Sequence, residues 1–124
     1  MSAVTFTAPL PGLAPFVDFS LETVDGAEGL FSLRSTEEAA VRLFLVDPAV
    51  YAPDYRPDLS TAQLEPLGSG ASGVRVLLVV NPAAEGTTVN LMAPIVINPA
   101  SGLCSQVVLE GSRWPVQAQL PLAG

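Results

Sequence analysis

The side chains of this sequence that could do chemistry are mostly carboxylates. Twelve aspartates and glutamates are spread over 124 residues, and there is no histidine. Without histidine the chain lacks the base of serine–histidine–aspartate and cysteine–histidine enzymes and the commonest ligand of transition metals. Two carboxylates facing each other across a cleft could still hydrolyse a glycosidic bond. No motif favours such a pair, and Glu37 and Glu38 are interpreted as part of a solvated turn.

Cys104 is the single cysteine, so an internal disulfide is excluded, as is typical of proteins from a reducing compartment. It lies in a predicted strand without a basic neighbour, and we interpret it as a small packing residue rather than a nucleophile. The aspartates from Asp47 to Asp58 lack the alternating spacing of a calcium loop. We therefore expect no cofactor and no metal, and no motif of the sequence favours an enzymatic activity.

The glycine-rich segment Gly68–Gly73, GSGASG, matches the G-x-G-x-x-G fingerprint of dinucleotide-binding proteins. That fingerprint works only where it follows a strand and opens a helix, because the helix N-terminus then faces the pyrophosphate. Here the segment follows a helical pattern and leads into the strand-like Val74–Val80. We interpret it as a flexible linker of glycine and serine.

The net charge is −7, with five arginines and no lysine. A nucleic-acid binder needs a basic surface that neutralises phosphates, so direct binding of nucleic acid is excluded. The acidity either speeds encounter with a basic protein partner or keeps the domain in solution, and charge alone leaves both interpretations open.

Composition indicates a folded domain, because 49% of the residues are hydrophobic and 14% are charged. A length of 124 residues predicts one domain over residues 1–124. No apolar run approaches the roughly 20 residues of a membrane-spanning helix, so no membrane partner is expected. The N-terminus has no basic segment followed by an apolar one, so we recognise no signal peptide and expect a cytoplasmic location.

Twelve prolines and ten glycines divide the chain into short apolar runs, a pattern typical of an all-β domain. In Phe16–Val24 the odd-numbered side chains are predicted to face inward. The nearly continuous apolar run Val74–Val80 is predicted to be central and covered on both faces. One short helix is predicted over Ser60–Leu67, where Ser60 and Gln63 form a capping-box pattern. Further strands are predicted over 29–35, 41–47, 89–97 and 103–109.

The segments 89–97 and 103–109 are predicted to form a hairpin around the turn Asn98–Gly102. The odd-numbered positions of its first strand are all apolar and face the core, which places Met92, Pro94 and Val96 on the opposite face. Because proline has no N–H to donate, we expect this strand to be an edge of the sheet or to be bulged near Pro94.

Several large apolar side chains exceed what one small core needs: Tyr51, Tyr55, Met92, Val96 and Trp114. They either complete the core or form a protein-binding patch beside an open sheet edge, where a partner could add a strand or dock an apolar face. Methionine suits such adaptable surfaces. The residues alone leave both interpretations open.

Six short motifs of this sequence resemble those of the FliW family of flagellar assembly factors. The most specific is NLMAPIVIN at Asn90–Asn98, followed by the return segment QVVL at Gln106–Leu109. The others stand in the family's order, and together the motifs span nearly the whole chain: LPGL at 10–13, FSLRS at 31–35, FLVDP at 44–48 and DY at 54–55.

The sequence departs from the family pattern at Pro9, where glycine is usual, and at Arg34 and Met92, where glutamine is usual. Arg34 and Met92 therefore lack the amide group of the family's residue. The chain also begins late relative to the family, and we expect an extra N-terminal strand to be missing.

The resemblance implies a small antiparallel β-barrel-like domain that is not an enzyme. It implies binding of cytoplasmic flagellin, whose terminal helices the family shields before export. It also implies binding of the carbon storage regulator, a small basic RNA-binding protein whose repression of flagellin translation the family relieves. Because the two partners compete, the factor reports unexported flagellin. We expect a monomer or a weak homodimer, since an unpaired sheet edge could accept a second copy.

On this resemblance we predict a partner-binding surface, built from residues of the shared motifs and of the apolar surplus: Phe31, Leu33, Arg34, Asp47, Tyr51, Asp54, Tyr55, Asn90, Met92, Pro94 and Val96. The alternative is a β-barrel that binds a small molecule or a carbohydrate, with hydrolysis through a carboxylate pair as its enzymatic form.

Overall fold

The fold is a closed β-barrel with a helical cover on one side. A computed structural model describes residues 2–10, 12–52, 55, 57, 59–68, 73–83, 86–109 and 118–119. The strands in these residues are β1 Ser2–Phe6, β2 Asp18–Thr23, β3 Leu30–Ser35, β4 Arg42–Val46, β5 Arg75–Ala83, β6 Gly86–Val89, β7 Ile95–Ile97, β8 Leu103–Gln106 and β9 Ala118–Gln119. Two helices, α1 Pro48–Tyr51 and α2 Thr61–Leu64, and a 3₁₀ turn at Glu65–Leu67 lie between β4 and β5.

Seven of the strands close the barrel in the order β4-β3-β2-β1-β8-β7-β5, and β5 pairs back with β4. β6 and β9 extend the sheet beyond β5. The predicted all-β, barrel-like class is confirmed. Among the described strands the β1–β8 pair is parallel and the other pairs are antiparallel, so the barrel is mixed rather than purely antiparallel.

No strand was predicted before Phe16, and one helix was predicted where the described residues contain two. Strand β1 was missed because its pairing with β8 is non-local and leaves no hairpin signal in the sequence. In the sheet it lies between β2 and β8. None of the helices in the described ranges has the length and apolarity needed to cross a membrane.

The barrel interior forms the first hydrophobic core. Side chains alternate along each strand, so the odd-numbered residues of β2 to β5 point inward. Phe19 and Leu21 are buried, which confirms the predicted inward face of that segment. The ring of Phe19 meets that of Phe6 edge-to-face with the centroids 5.5 Å apart. Cys104 is fully buried in this core, as expected of a packing residue.

A second core covers the outer face of β4, β5 and β7. Val46, Leu78 and Val96 point outward from these strands and are 0–2% exposed. The cover over them is formed mainly by residues of the helical connection and of the chain around the hairpin: Ala52, Tyr55, Leu67, Leu91, Val107 and Leu109. Leu77 and Leu78 are both fully buried, so the prediction that β5 is covered on both faces is confirmed.

The predicted hairpin is present, but its first strand is shorter than expected. β7 pairs with β8 in the register Ile97↔Cys104, and Gly102 in the turn has a φ of +78°. β7 lies between β5 and β8, so the expectation that this segment is a sheet edge is wrong. The ladder is instead interrupted before Pro94, which is buried and needs no N–H partner there.

The interruption between β6 and β7 is organised by hydrogen bonds. The side-chain oxygen of Asn90 accepts the N–H groups of Met92 and Ala93, both at 3.0 Å. The carbonyl of Met92 accepts from Leu109 at 2.8 Å, and that of Pro94 accepts from Val107 at 2.9 Å. The return strand thus stays attached to a segment that is no longer a regular strand.

The capping box predicted at Ser60 is confirmed. The Ser60 N–H donates to the side-chain oxygen of Gln63 at 2.8 Å, and the Gln63 N–H donates to the Ser60 hydroxyl oxygen at 3.2 Å. At the other end of this helical segment, Asn98 Nδ2 donates to the Leu67 carbonyl at 2.9 Å. Asn98 is 1% exposed, so this bond joins the hairpin turn to the cover in the protein interior.

Asn98→Ala should destabilise the fold by about 1–2 kcal/mol, because it removes two hydrogen bonds of a buried amide, to the Leu67 carbonyl and from the Ala100 N–H, and leaves the Leu67 carbonyl with the Ser101 hydroxyl as its side-chain donor. Urea denaturation followed by circular dichroism measures the loss. The control is Asn81→Ala, since Asn81 is exposed and should change stability by less than about 0.5 kcal/mol. Equal stabilities of the two variants would contradict the assigned role of Asn98.

Candidate protein-interaction surface

An open groove lies where β4 leaves the barrel. Its volume is about 270 Å³, and its lining is mostly apolar: Asp47, Pro48, Ala49, Ala52, Tyr55, Pro57 and Val76. Asp47 ends the strand and caps α1, because its carboxylate accepts the Ala49 N–H at 2.9 Å. Pro48 occupies the start of the helix, where its missing N–H costs nothing.

Two contacts hold α1 against the turn between β2 and β3. The Asp47 N–H donates to the Gly29 carbonyl at 2.8 Å, and the Tyr51 hydroxyl donates to the Glu28 carbonyl at 3.1 Å. Gly29 has a φ of +80°, and a Cβ placed there would lie 3.0 Å from the side chain of Val50. Glycine is therefore required for the close approach of this turn to α1.

Tyr55 forms the inner wall of the groove. Its side chain is 6% exposed, and its hydroxyl donates to the Leu91 carbonyl at 2.6 Å. Burial raises the pKa of the Tyr55 hydroxyl above its ordinary value, so the group remains a protonated donor at neutral pH. This hydrogen bond attaches the inner wall of the groove to the segment before β7.

The outer face of β4 leads away from the groove towards two exposed arginines. The even-numbered residues Val46, Phe44 and Arg42 point outward in sequence along this strand. The Arg42 guanidinium lies 5.0 Å from the centroid of the Phe44 ring. Arg34 of β3 is the residue directly opposite Arg42.

Four of the predicted partner-binding residues are buried. Leu33 belongs to the barrel core, and Val96 and Tyr55 belong to the second core. The expected outward exposure of Val96 and Pro94 is wrong, because the second core covers the face of the sheet to which they point. Of the apolar surplus, Tyr55 and Val96 therefore complete a core, the first of the two interpretations left open.

The remaining predicted residues do not gather in one place. Asp47 and Tyr51 lie at the groove and α1, whereas Asn90 and Met92 form the half-buried bend before β7. Phe31 is half-buried, with the Arg75 guanidinium 5.1 Å from its ring centroid. Arg34 is exposed on β3. Asp54 and Trp114 lie outside the described residues.

Three exposed residues of the described chain were not among the predicted partner-binding residues. Val50 and Val108 are 46% and 49% exposed, the large apolar side chains most open to solvent in the described ranges. Val50 lies between the FLVDP and DY motifs, and its exposure depends on how α1 packs. Arg42 was not predicted because its position opposite Arg34 follows from strand register, which the sequence does not specify.

The described residues offer little to catalysis. Asp47 is the one carboxylate among the groove's lining residues, and it already caps α1. No group of three or more potential ligands could hold a metal within the described ranges. Burial raises the pKa of the Cys104 thiol to about 12, so the thiol is protonated at neutral pH and is a poor nucleophile.

Comparisons with known proteins agree on one family. The model of the family described as "FliW protein" matches residues 1–120. The "Flagellar assembly factor FliW" of Geobacillus thermodenitrificans (strain NG80-2) is 32% identical over 120 residues, covering 94% of this chain and 83% of that protein. The protein of the same name from Syntrophus aciditrophicus (strain SB) is 36% identical over 87 residues, covering 68% of this chain and 55% of that protein.

The fold comparison gives the same result. The solved structure titled "Crystal structure of the flagellar assembly factor FliW" superposes with a TM-score of 0.87 at 31% identity. The match covers 95% of this chain and 84% of that chain.

Gly29→Ala should loosen α1 and lower stability more than Gly26→Ala does. Both glycines have a positive φ, near +80°, so both variants carry a backbone strain of about 1–2 kcal/mol. A Cβ at Gly26 meets nothing within 4 Å, whereas one at Gly29 meets Val50. Urea denaturation and limited proteolysis within residues 47–59 measure the difference. Equal losses in the two variants would refute the packing role of Gly29.

Proposed function

We propose, from the premise that this chain belongs to the FliW family, that it binds cytoplasmic flagellin and antagonises the carbon storage regulator. The observation that carries the proposal is the match of residues 1–120 to the family, together with a superposition of 95% of the chain on a flagellar assembly factor. The relatives are named as flagellar assembly factors, which supports a role in flagellar assembly. Flagellin and the regulator are the partners that the motif resemblance implies.

The groove supports binding of a protein segment rather than of a small molecule. It is open to solvent, and its volume of about 270 Å³ is small for a pocket that would enclose a drug-sized ligand. Proline, alanine, valine and tyrosine side chains line it, and Val50 is exposed on the same short helix. Such a site suits one or two apolar side chains from a partner whose remaining surface lies outside the groove.

The charge of the chain supports the second partner. A net charge of −7 favours encounter with a basic RNA-binding protein and disfavours contact with RNA itself. Binding of the regulator would withdraw it from its messenger, and flagellin held on the same factor would release the regulator again. In this way one small chain couples the level of flagellin to its translation.

The alternative of a ligand-binding barrel gains no support. Its interior is filled by side chains that include Phe19, Leu33, Leu45 and Leu77, all fully buried. In the part of the chain that the structure describes, the filled interior leaves no lumen of the kind in which larger barrels enclose a ligand.

Ala49→Tyr should weaken flagellin binding by about tenfold or more, because the new ring fills the groove that a partner side chain would enter. Isothermal titration calorimetry of purified flagellin with each variant measures the affinity. Ala100→Tyr is the matched control, since Ala100 is also exposed but lies in the β7–β8 turn. Equal affinity in both variants would remove the groove from the flagellin site, and no binding by the unsubstituted chain would refute the flagellin proposal.

Purified carbon storage regulator should bind the unsubstituted chain, and the affinity should fall as salt is raised, because opposite charges drive the encounter. Adding flagellin should release the regulator. Fluorescence anisotropy of labelled regulator follows both steps. A regulator that stays bound at saturating flagellin would contradict the competition.

A further inference from the structure

The Arg34–Arg42 pair is an unusual arrangement on an acidic protein. The two arginines are exposed and directly opposite each other on β3 and β4. Side chains in such positions have Cβ atoms about 4.5–5.5 Å apart, and like charges there are destabilising. The sequence thus places two of its five cations where they repel each other.

The neighbouring carboxylates are hydrogen-bonded to neutral groups or lie beside other residues, so their charges offset the arginines only at a distance. The Asp18 carboxylate on β2 accepts the Thr5 hydroxyl at 2.8 Å, and Glu38 in the β3–β4 turn accepts the Ala40 N–H at 3.3 Å. Glu22 of β2 lies opposite Ser32 rather than opposite an arginine, and Glu37 is exposed in the turn. Within the described part of the chain neither guanidinium forms an ion pair within 4.0 Å.

Arg42 is also held in place by a ring. Its guanidinium lies 5.0 Å from the centroid of Phe44, a distance at which a cation is attracted to the ring face. The contact limits the motion of Arg42 on the open face of the sheet. A guanidinium that is already positioned loses less entropy when it binds a carboxylate.

The arginine pair and the groove share one surface. Arg42, Phe44 and Val46 point outward from β4, and the groove begins at Asp47. Arg42 and Val46 are four positions apart on the extended strand, which is about 14 Å. Phe44 and its cross-strand neighbour Val80 are half-buried between the two sites, so the path is partly apolar.

We propose that the Arg34–Arg42 pair binds a carboxylate-bearing segment of the protein whose apolar side chain enters the groove. The inference rests on the proposed function, and it specifies the chemistry of the flagellin residues that would bind here. The acidic residue should lie about 14 Å from the apolar anchor, which is about four residues in an extended segment or about nine in a helix. Guanidinium groups recognise carboxylates through paired N–H donors, which fixes the register of the partner.

A protein segment fits this site better than a nucleic acid does. Two guanidinium groups can neutralise one or two carboxylates on a partner that is otherwise neutral. A nucleic acid would bring a row of phosphates against a chain of net charge −7. The repulsion between the phosphates and the carboxylates of the chain would exceed the attraction of two phosphates to the two arginines.

The test uses the full chain with both arginines reversed, Arg34→Glu and Arg42→Glu, titrated with purified flagellin at low and at high salt. We expect an affinity loss of about tenfold or more at low salt and a weaker dependence on salt than in the unsubstituted chain. The control is Arg75→Glu, since Arg75 also lies over an aromatic ring, that of Phe31, at 5.1 Å. It should bind flagellin within about twofold of the unsubstituted chain.

A second readout separates binding from folding. The single variant Arg42→Gln removes both the repulsion within the pair and the attraction to the Phe44 ring. Because these two effects are opposite in sign and similar in size, its urea midpoint should stay nearly unchanged while its affinity for flagellin falls. A falling midpoint that accounts for the whole loss of affinity would overturn the inference.

The remaining outcomes distinguish the inference from the function on which it rests. If the unsubstituted chain binds flagellin and the reversed variant binds it equally well at both salt concentrations, the arginine pair has no part in recognition. Loss of single-stranded RNA binding, or of self-association in sedimentation, with flagellin affinity intact would assign the pair to another occupant and overturn the inference as well. Failure of the unsubstituted chain to bind flagellin would refute the proposed function and the inference together.

Discussion

Burial of both faces of β5 is the constraint on which the rest of the structure depends. Leu77 and Leu78 are consecutive, so their side chains point to opposite faces of the strand, yet both are fully buried. One face is covered when the barrel closes around it. The other can be covered only by a layer outside the barrel, which the chain between β4 and β5 and the chain around the hairpin supply together. The second core is therefore as necessary to this fold as the first.

The outer layer is attached by a small number of polar contacts rather than by a continuous sheet. Asn98 bonds the Leu67 carbonyl at one end of the layer, and Tyr55 bonds the Leu91 carbonyl near the other. Buried hydrogen bonds of this kind fix position because leaving either partner unpaired is costly. Where the layer leaves the end of β4, it does not close completely against the barrel, and the groove beside α1 is the result. The candidate binding surface thus follows from how the second core is covered.

The sequence predicted the parts of this structure that local chemistry decides. The capping box at Ser60, the turn at Asn98–Gly102 and the inward face of β2 depend on neighbouring residues and are all present. Three features depended on distant partners and were missed or wrong: the parallel β1–β8 pair, the burial of Val96, and the meeting of Arg34 with Arg42. Alternation shows that Val96 points away from the barrel interior, but only the position of the outer layer shows that this face is covered.

Charge explains how so small a surface could serve two partners under the proposed function. Most of the charged side chains are acidic, with twelve carboxylates against five arginines. A basic partner is therefore attracted over a wide area, with little dependence on single residues. The arginine pair reverses the sign at one place on the outer face of β3 and β4. A basic partner gains nothing there, whereas a partner that carries a carboxylate at the right distance from its apolar anchor gains at both ends. The arginine pair then discriminates between the two partners by repelling the basic one as much as by attracting the one that carries a carboxylate. Specific interfaces commonly combine such repulsive and attractive contacts.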